Sequence, residues 1–500
     1  MPLVYRKCTH NMTNALEQRM FKETASLAES QGRSTLEALA WEHVWHTSSE
    51  WRYSMGLRIG PVRAVRRSAW MKRFTPARQQ AILDEISRTC ADCNLAGHKY
   101  DIFPKWEMVP KLHCGCANPG AARCIMGPNL TWMATLGPWH LAYGNRMKEV
   151  FNRRARVYYS SGATAQDLGK WFDSAVRDVT MRYGAVAIGE NDFGEFDGSQ
   201  GQCKRNHNAR RYKEAGAPKH VMKAITATRM RGASRIGVKF SSKAKKSSGE
   251  TDTSCGNSEL NIDSTLDLVV GCSKSVGLDP RCSFWLVFLG DDMLLIAPPQ
   301  LVRAVCAIGE AHFRALGLEA KLQYKEHLIE AEYCSGRFYL TASGSRVWAP
   351  KIGRSLTKAG WRLAGQLNVT DAEWVAGVMG GLYADANHVP VLRAMGRPGN
   401  RILRGQRTPS VRVEYPTLES YEELARLYGT SVTELQALEG EVAHSAPGTF
   451  LPDTMLLRKI LARDVAPKRG HPRNNRNWLF EEGYELLWPM SAIPTESVYA

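Results

Sequence analysis

The segment Phe284-Trp-Leu-Val-Phe-Leu289, Gly290-Asp291-Asp292, Met293-Leu-Leu-Ile296 constrains the fold of this chain more than any other. Two short apolar runs separated by three residues read as an antiparallel hairpin with two acids in its turn. Adjacent carboxylates between hydrophobic strands are costly to hold away from water unless a cation neutralises them, and a divalent metal is the simplest one. Taken alone, the tripeptide fits an ordinary hairpin turn better than a metal site.

A second run, Ala185-Val-Ala-Ile-Gly-Glu-Asn-Asp192, reads as a buried strand delivering a carboxylate at its tip. Asp197 follows five residues later, beyond a turn expected at Gly194. Carboxylates arriving from separate strands are what two-metal phosphoryl transfer requires, and Asp192 and Asp291 could supply them. Between these segments lies Ser248-Gly-Glu-Thr-Asp-Thr-Ser-Cys-Gly-Asn257. Its Ser248-Gly249 pair suggests a flexible loop able to approach a nucleic-acid strand closely. Thr253 and Asn257, four apart, share a face of the helix expected over Thr253 to Val270, whose apolar face would carry Leu260, Ile262, Leu266 and Val269. By itself this segment reads as a polar cap on an ordinary helix.

Charge adds a partner. The 500 residues carry a net charge of +17, concentrated in two tracts. Arg52 to Arg78 holds eight basic residues and no acid, and Lys204 to Glu250 carries a local +12. The remainder, with 44 basic and 47 acidic residues, is nearly neutral, which excludes a uniformly basic tail and points to a polyanion bound by a folded chain. Twelve scattered cysteines argue for a reducing compartment rather than a disulfide scaffold. No apolar run reaches the length of a membrane span or signal core, so a soluble intracellular protein is expected, tethered by something else if it works on a membrane.

Helical spacing is expected over Thr13 to Glu29, Thr35 to Trp45, Trp139 to Arg156, Ala165 to Tyr183, Asp371 to Tyr383, Leu418 to Tyr428 and Ser431 to Ala443. The Leu418 helix has a cap at Thr417, or at Ser420 with Glu423. Cys90 to Pro138 breaks into loops and short strands, and Lys468 to Trp478 reads as an exposed basic loop. Cys90, Cys93, Cys114 and Cys116, with His98 and His113 nearby, raise a structural zinc site, but Cys-x-x-Cys followed by Cys-x-Cys departs from zinc-ribbon spacing and free thiols fit better.

In this order, Asp192 with Asp197, Ser248-Gly249 with Thr253 and Asn257, and Gly290-Asp291-Asp292 resemble the palm motifs of RNA-dependent RNA polymerases from positive-strand RNA viruses. Phe103 to Lys111, Ala122 to Ile125 and Gly137 to Lys148 resemble the fingers motif of tombusvirus-like and nodavirus-like enzymes, while Glu-Phe-Asp-Gly-Ser-Gln is similar to hepevirus-like wording. Gly317 to Lys321 and Glu332 to Phe338 resemble the motifs after the acidic hairpin. The resemblance covers roughly Phe103 to Trp361.

It implies an α+β right-hand polymerase with fingers, an antiparallel palm sheet and a helical thumb. The expected division is 1–184 N-terminal extension and fingers, 185–203 first part of the palm, 204–246 fingers insertion, 247–345 second part of the palm, and 346–500 thumb and tail. Asp192, Asp291 and, more weakly, Asp292 would hold two magnesium ions, with manganese able to substitute. Asp197 and Asn257, supported by Ser248, Gly249 and Thr253, would sense the ribose 2′-hydroxyl. Arg123, with Lys111 and Lys105, would contact the nucleoside triphosphate, and Lys321, with Lys325 as rival, would be the general acid. The Lys204–Lys246 tract would line the template or nucleotide channel, and the Arg52–Arg78 tract would guard its entrance. RNA and nucleoside triphosphates are the implied partners, joined by a viral replication protein supplying membrane attachment. The implied location is the host cytoplasm, at membrane-associated replication complexes. A reverse transcriptase and a non-catalytic RNA-binding or capsid protein are the alternatives.

Overall fold

The computed structural model describes residues 8–20, 31–88, 100–105, 123–359, 370–396, 414–444, 449–451, 454–465 and 486–488. Strands run, in chain order, Tyr100–Pro104 (β1), Cys124–Pro128 (β2), Val157–Tyr159 (β3), Ala187–Gly194 (β4), Arg229–Ala233 (β5), Lys239–Lys243 (β6), Trp285–Leu289 (β7), Asp292–Ala297 (β8), Glu319–Lys325 (β9), Glu332–Tyr333 (β10), Gly336–Leu340 (β11) and Arg346–Pro350 (β12).

The central sheet has the order β3-β7-β8-β4-β9. The β7–β8 hairpin forms as its sequence dictates, pairing Leu289 with Asp292 around the turn. Strand β4 lies antiparallel between β8 and β9, with Asn191 opposite Met293 and Asp192 opposite Lys321. Both faces of the sheet are covered, so its strands do not alternate apolar and polar. Leu295, Phe193 and Phe288 join a core with Leu260, Val302 and Val305 from the helices Thr253–Ser275 and Pro299–Ala315. On the opposite face Ile188, Val287 and Leu294 pack with Trp171 and Phe172 of the Ala165–Tyr183 helix and with Phe338 of β11.

A second sheet has the order β2-β1-β5-β6, one face closed by Met12, Leu16 and Met20 near the N-terminus. Beyond β12, the helices Ile352–Ala359, Leu418–Tyr428, Val432–His444 and Met455–Val465 enclose a separate core around Leu356, Leu424, Leu435 and Ile460. Thr417 caps the Leu418 helix with Ser420 at its third position, while Glu423 is taken by Arg346.

Three expectations change. The helix expected from Trp139 begins at Leu130, where the Asn129 side chain accepts from the Trp132 N–H, and ends at Val150. It carries Pro138 within it. The Thr253–Ser275 helix is not one-sided: Asn257, Ser258, Glu259, Asn261, Asp263 and Ser264 are buried along with its apolar residues. Its polar groups face other polar groups rather than water.

The basic tracts account for that. Arg52 and Arg211 are buried against the helix, Arg52 at 2.5 Å from Glu259 and 2.6 Å from Asp263, Arg211 at 2.7 Å from Asp263. His207 completes the cluster at 2.8 Å. Burial would raise the Asp263 pKa, but Arg211 and Arg52 overcome it and hold the carboxyl well below the usual range. Lys204 is buried on Glu37, and Lys246 is buried on Asp252 and Glu250. These cations were expected to face a channel or its entrance; they are internal charges, compensated as burial demands.

Candidate active site

The Gly290 turn presents the acids. Gly290 has φ +65°, a left-handed conformation suited to glycine. Its N–H donates to Ser258 Oγ at 2.7 Å, and Asn261 Nδ2 donates to the Gly290 and Asp291 carbonyls at 3.1 and 3.0 Å. Thr265 in turn donates to Asn261 Oδ1 at 3.1 Å, fixing the amide. From the other side the Ser160 N–H donates to the Phe288 carbonyl, and its hydroxyl meets Tyr333 Oη at 2.7 Å. The turn is therefore gripped on two flanks by side chains remote in sequence.

Extending the β4–β8 register one residue past Asn191 brings Asp192 level with Asp292. Asp192, Asp291 and Asp292 are all exposed, so the acids gather at one open end of the sheet. Partial desolvation by the surrounding protein raises the Asp291 pKa, and the Asp192 charge adds to the rise while Arg123 opposes it. A carboxylate opposed by a neighbouring one fits a hard divalent cation, which would relieve the repulsion. Among the described residues no group of three or more His, Cys, Asp or Glu is placed to hold an ion. Any such ion must complete its shell with oxygens from elsewhere, as magnesium does with substrate phosphates.

Asp197 sits on the short helix Phe196–Ser199, entered through Glu195 at φ +50°. Asn257 Nδ2 donates to its Oδ1 at 2.6 Å, and Gln200 Nε2 donates to Asn257 Oδ1 at 2.9 Å. Burial lifts the Asp197 pKa to about 6, with the Asn257 bond and Lys246 pulling against it. The expected Asp197–Asn257 pair is thus formed.

Ser248 and Gly249 are tied to strand β2. Ser248 Oγ donates to the Cys124 carbonyl at 2.9 Å, and the Gly249 N–H donates to the Met126 carbonyl at 3.0 Å. A Cβ on Gly249 would stand 2.5 Å from that carbonyl oxygen. The close approach made by this loop is to strand β2 of its own chain. Thr253 Oγ1 bonds the Ser247 and Glu250 carbonyls, closing the loop at the helix start.

Arg123 directly precedes β2, exposed, with its carbonyl accepting from the Lys105 N–H at 2.7 Å. Lys321 is the cross-strand partner of Asp192, whereas Lys325 pairs with Ile188, four residues or about 13 Å along the strand. Lys321 is the lysine beside the acids. Lys111 lies outside the described residues, as do Cys90, Cys93, Cys114, Cys116, His98, His113 and the tract Lys468 to Trp478.

Eight of the fourteen basic residues from Lys204 to Lys246 are exposed. Arg229 pairs with Lys243 and Ala233 with Lys239, so Arg229, Arg231, Lys239 and Lys243 share one exposed face of the β5–β6 ribbon. Ser258, Asn261 and Gln200 went unassigned from sequence. Their signal was the density of polar residues on a helix that also had to be core, and a glutamine one turn beyond Asp197.

A sheet antiparallel through β7-β8-β4-β9, with β3 parallel at its edge, that brings a strand-end aspartate level with a Gly-Asp-Asp turn, beside an acid bonded to a helical asparagine, has the architecture of a palm-type polymerase. Residues 50–375, well over half of the chain, match the model of a family described as RNA dependent RNA polymerase, and the chain belongs to that family. The protein is accordingly a nucleotidyltransferase acting on RNA and nucleoside triphosphates, and the match supports the positive-strand viral reading over the reverse-transcriptase and coat-protein alternatives. A comparison with curated proteins finds no match. No described helix is long and apolar enough to cross a membrane.

Proposed function

We propose that the protein replicates and transcribes a positive-strand RNA genome by two-metal nucleotidyl transfer, with Asp192 and Asp291 as the principal magnesium ligands and Asp292 as a weaker or outer-sphere one. The observation that carries this reading is the convergence of Asp192 and the Asp291 turn at one end of the sheet. Bound magnesium would activate the RNA 3′-hydroxyl and steady the pyrophosphate. Asp197 and Asn257 receive the ribose 2′-hydroxyl, with Ser248, Gly249 and Thr253 shaping the loop behind them. Arg123, assisted by Lys111 and Lys105, holds the triphosphate. Lys321 gives its proton to the departing pyrophosphate as the new phosphodiester forms.

Fingers, palm and thumb follow the division expected from sequence, except that Val157–Tyr159 and the helix Ala165–Tyr183 belong with the palm sheet they pack on. The exposed β5–β6 cations carry template RNA. A tombusvirus-like or nodavirus-like lineage, action at membrane-associated replication complexes of the host cytoplasm and a membrane-anchoring viral partner complete the proposal. Primer extension on RNA with magnesium tests it: Asp291→Ala should abolish incorporation and leave RNA binding intact, and wild-type rates in that variant would refute the mechanism.

A further inference from the structure

Asn257 can face Asp197 with either end of its amide, and the two choices are chemically opposite. With Nδ2 toward the acid, as observed, Asn257 donates at 2.6 Å. Turned over, its carbonyl oxygen would confront a carboxylate oxygen. Asp197 favours the observed orientation, and Gln200 locks it, its Nε2 donating to Asn257 Oδ1 at 2.9 Å. The bond lies in the interior, with Gln200 1% and Asn257 5% exposed. Gln200 stands three residues after Asp197, and its N–H closes the same turn on the Asp197 carbonyl at 3.2 Å. One turn of chain therefore grips the Asn257 amide from both ends, an acceptor on one side and a donor on the other.

This grip leaves a specific pair of groups over. Asp197 Oδ2 accepts no hydrogen bond among the described residues, and Asn257 Nδ2 spends one of its two hydrogens on Asp197. An acceptor next to a donor complements a hydroxyl, which both donates and accepts, and offers nothing to a hydrogen in its place.

We infer that Gln200 is a positioning residue for sugar discrimination: by pinning the Asn257 amide it keeps the Asp197–Asn257 pair set to receive a 2′-hydroxyl. The inference rests on the proposed role of that pair. Loss of the pin lets the amide turn over, presenting an acceptor where the hydroxyl needs a donor.

The experiment compares kcat/KM for a ribonucleoside triphosphate and its 2′-deoxy analogue on one RNA primer–template, in wild type, Gln200→Glu, Gln200→Ala and Asn257→Ala. Gln200→Glu, assayed at a pH high enough to ionise its buried carboxyl, can only accept and should reverse the amide and lower the ribo-to-deoxy ratio about tenfold or more, the worth of one charge-adjacent hydrogen bond. Gln200→Ala should lower it several-fold, and it keeps the test open where the buried glutamate disturbs folding. Deoxynucleotide incorporation serves as the control, since general damage depresses both substrates alike and leaves the ratio unmoved. A ratio lowered by Asn257→Ala but unchanged in both Gln200 variants overturns the role of Gln200. A ratio unchanged even in Asn257→Ala overturns the ribose reading of the pair itself.

Discussion

Replacing Asn261 by Leu tests whether the Thr253–Ser275 helix holds the acidic turn. Asn261 is fully buried, donates to the Gly290 and Asp291 carbonyls, and accepts from Thr265. Leucine keeps the bulk and removes all three bonds. The Thr265 hydroxyl, buried, loses its acceptor, and the two turn carbonyls keep only the partners that solvent provides. At about 1 kcal/mol for each bond, the variant should lose roughly 2–4 kcal/mol of stability. The catalytic effect should be larger in kind. With the turn released, Asp291 samples positions off by about an ångström, a displacement that costs on the order of 100-fold in rate. Single-turnover incorporation should therefore fall about 100-fold at saturating nucleotide while KM moves little. Ser264→Ala is the matched control, because the Ser264 hydroxyl bonds backbone carbonyls of its own helix, those of Leu260 and Asn261. That variant should lose stability without losing rate. If folded Asn261→Leu protein incorporates within twofold of wild type, the helix does not position the turn.

Other outcomes follow from the charges and histidines. Changing Arg229, Arg231, Lys239 and Lys243 together to Gln should lower the salt dependence of single-stranded RNA binding by up to about 3 in log–log slope, whereas Lys204→Gln, at a buried pair, should destabilise the fold and leave the slope intact. An unmoved slope in the fourfold variant would make the ribbon a solvated face. Asp263→Asn leaves Arg52 and Arg211 buried beside a neutral amide and should cost about 3–5 kcal/mol in urea unfolding. His140 and His388 are buried with pKa values pushed down to about 4 by desolvation. Because each binds its proton only in the unfolded chain over this window, stability is complete above pH 6.5 and is lost as pH falls toward 4, by roughly 2 kcal/mol per histidine at pH 5. His140→Gln with His388→Gln should flatten that part of the pH profile, and an unchanged profile would assign the acid sensitivity to other groups.

The parts of the fold legible in sequence were those set by local chemistry. The β7–β8 hairpin and β4 follow from uninterrupted apolar runs, and the Ala165 and Leu418 helices from apolar residues at helical spacing, with Thr417 capping the second. The acids and the Asp197–Asn257 pair were legible through the resemblance of the three segments, taken in order, to polymerase palm motifs; each segment alone reads as an ordinary turn or cap. Illegible were features whose partners lie far along the chain. Reading Lys204, Arg211 and Lys246 as channel-facing charge fails because Glu37, Asp263 and Asp252 meet them only after folding. Gly249 looked like backbone freedom and proved to be clearance for Met126. Ser258 and Asn261 are marked only collectively, by the polar density of a helix that must also be core: a single serine or asparagine in a helix gains meaning from the loop that folds over it.

The helix Thr253–Ser275 holds Asn257 against Asp197 and, one turn on, Asn261 against the Asp291 turn. On the proposed roles of these residues, selection of the sugar and placement of the metal-binding acid share one mechanical reference. A substitution that shifts this helix to admit a bulkier or altered ribose will carry the aspartate turn with it. Tolerance of modified nucleotides gained by that route should come with slower synthesis, and variants that escape the trade must change side chains at Asp197 or Gln200 while leaving the helix where it is.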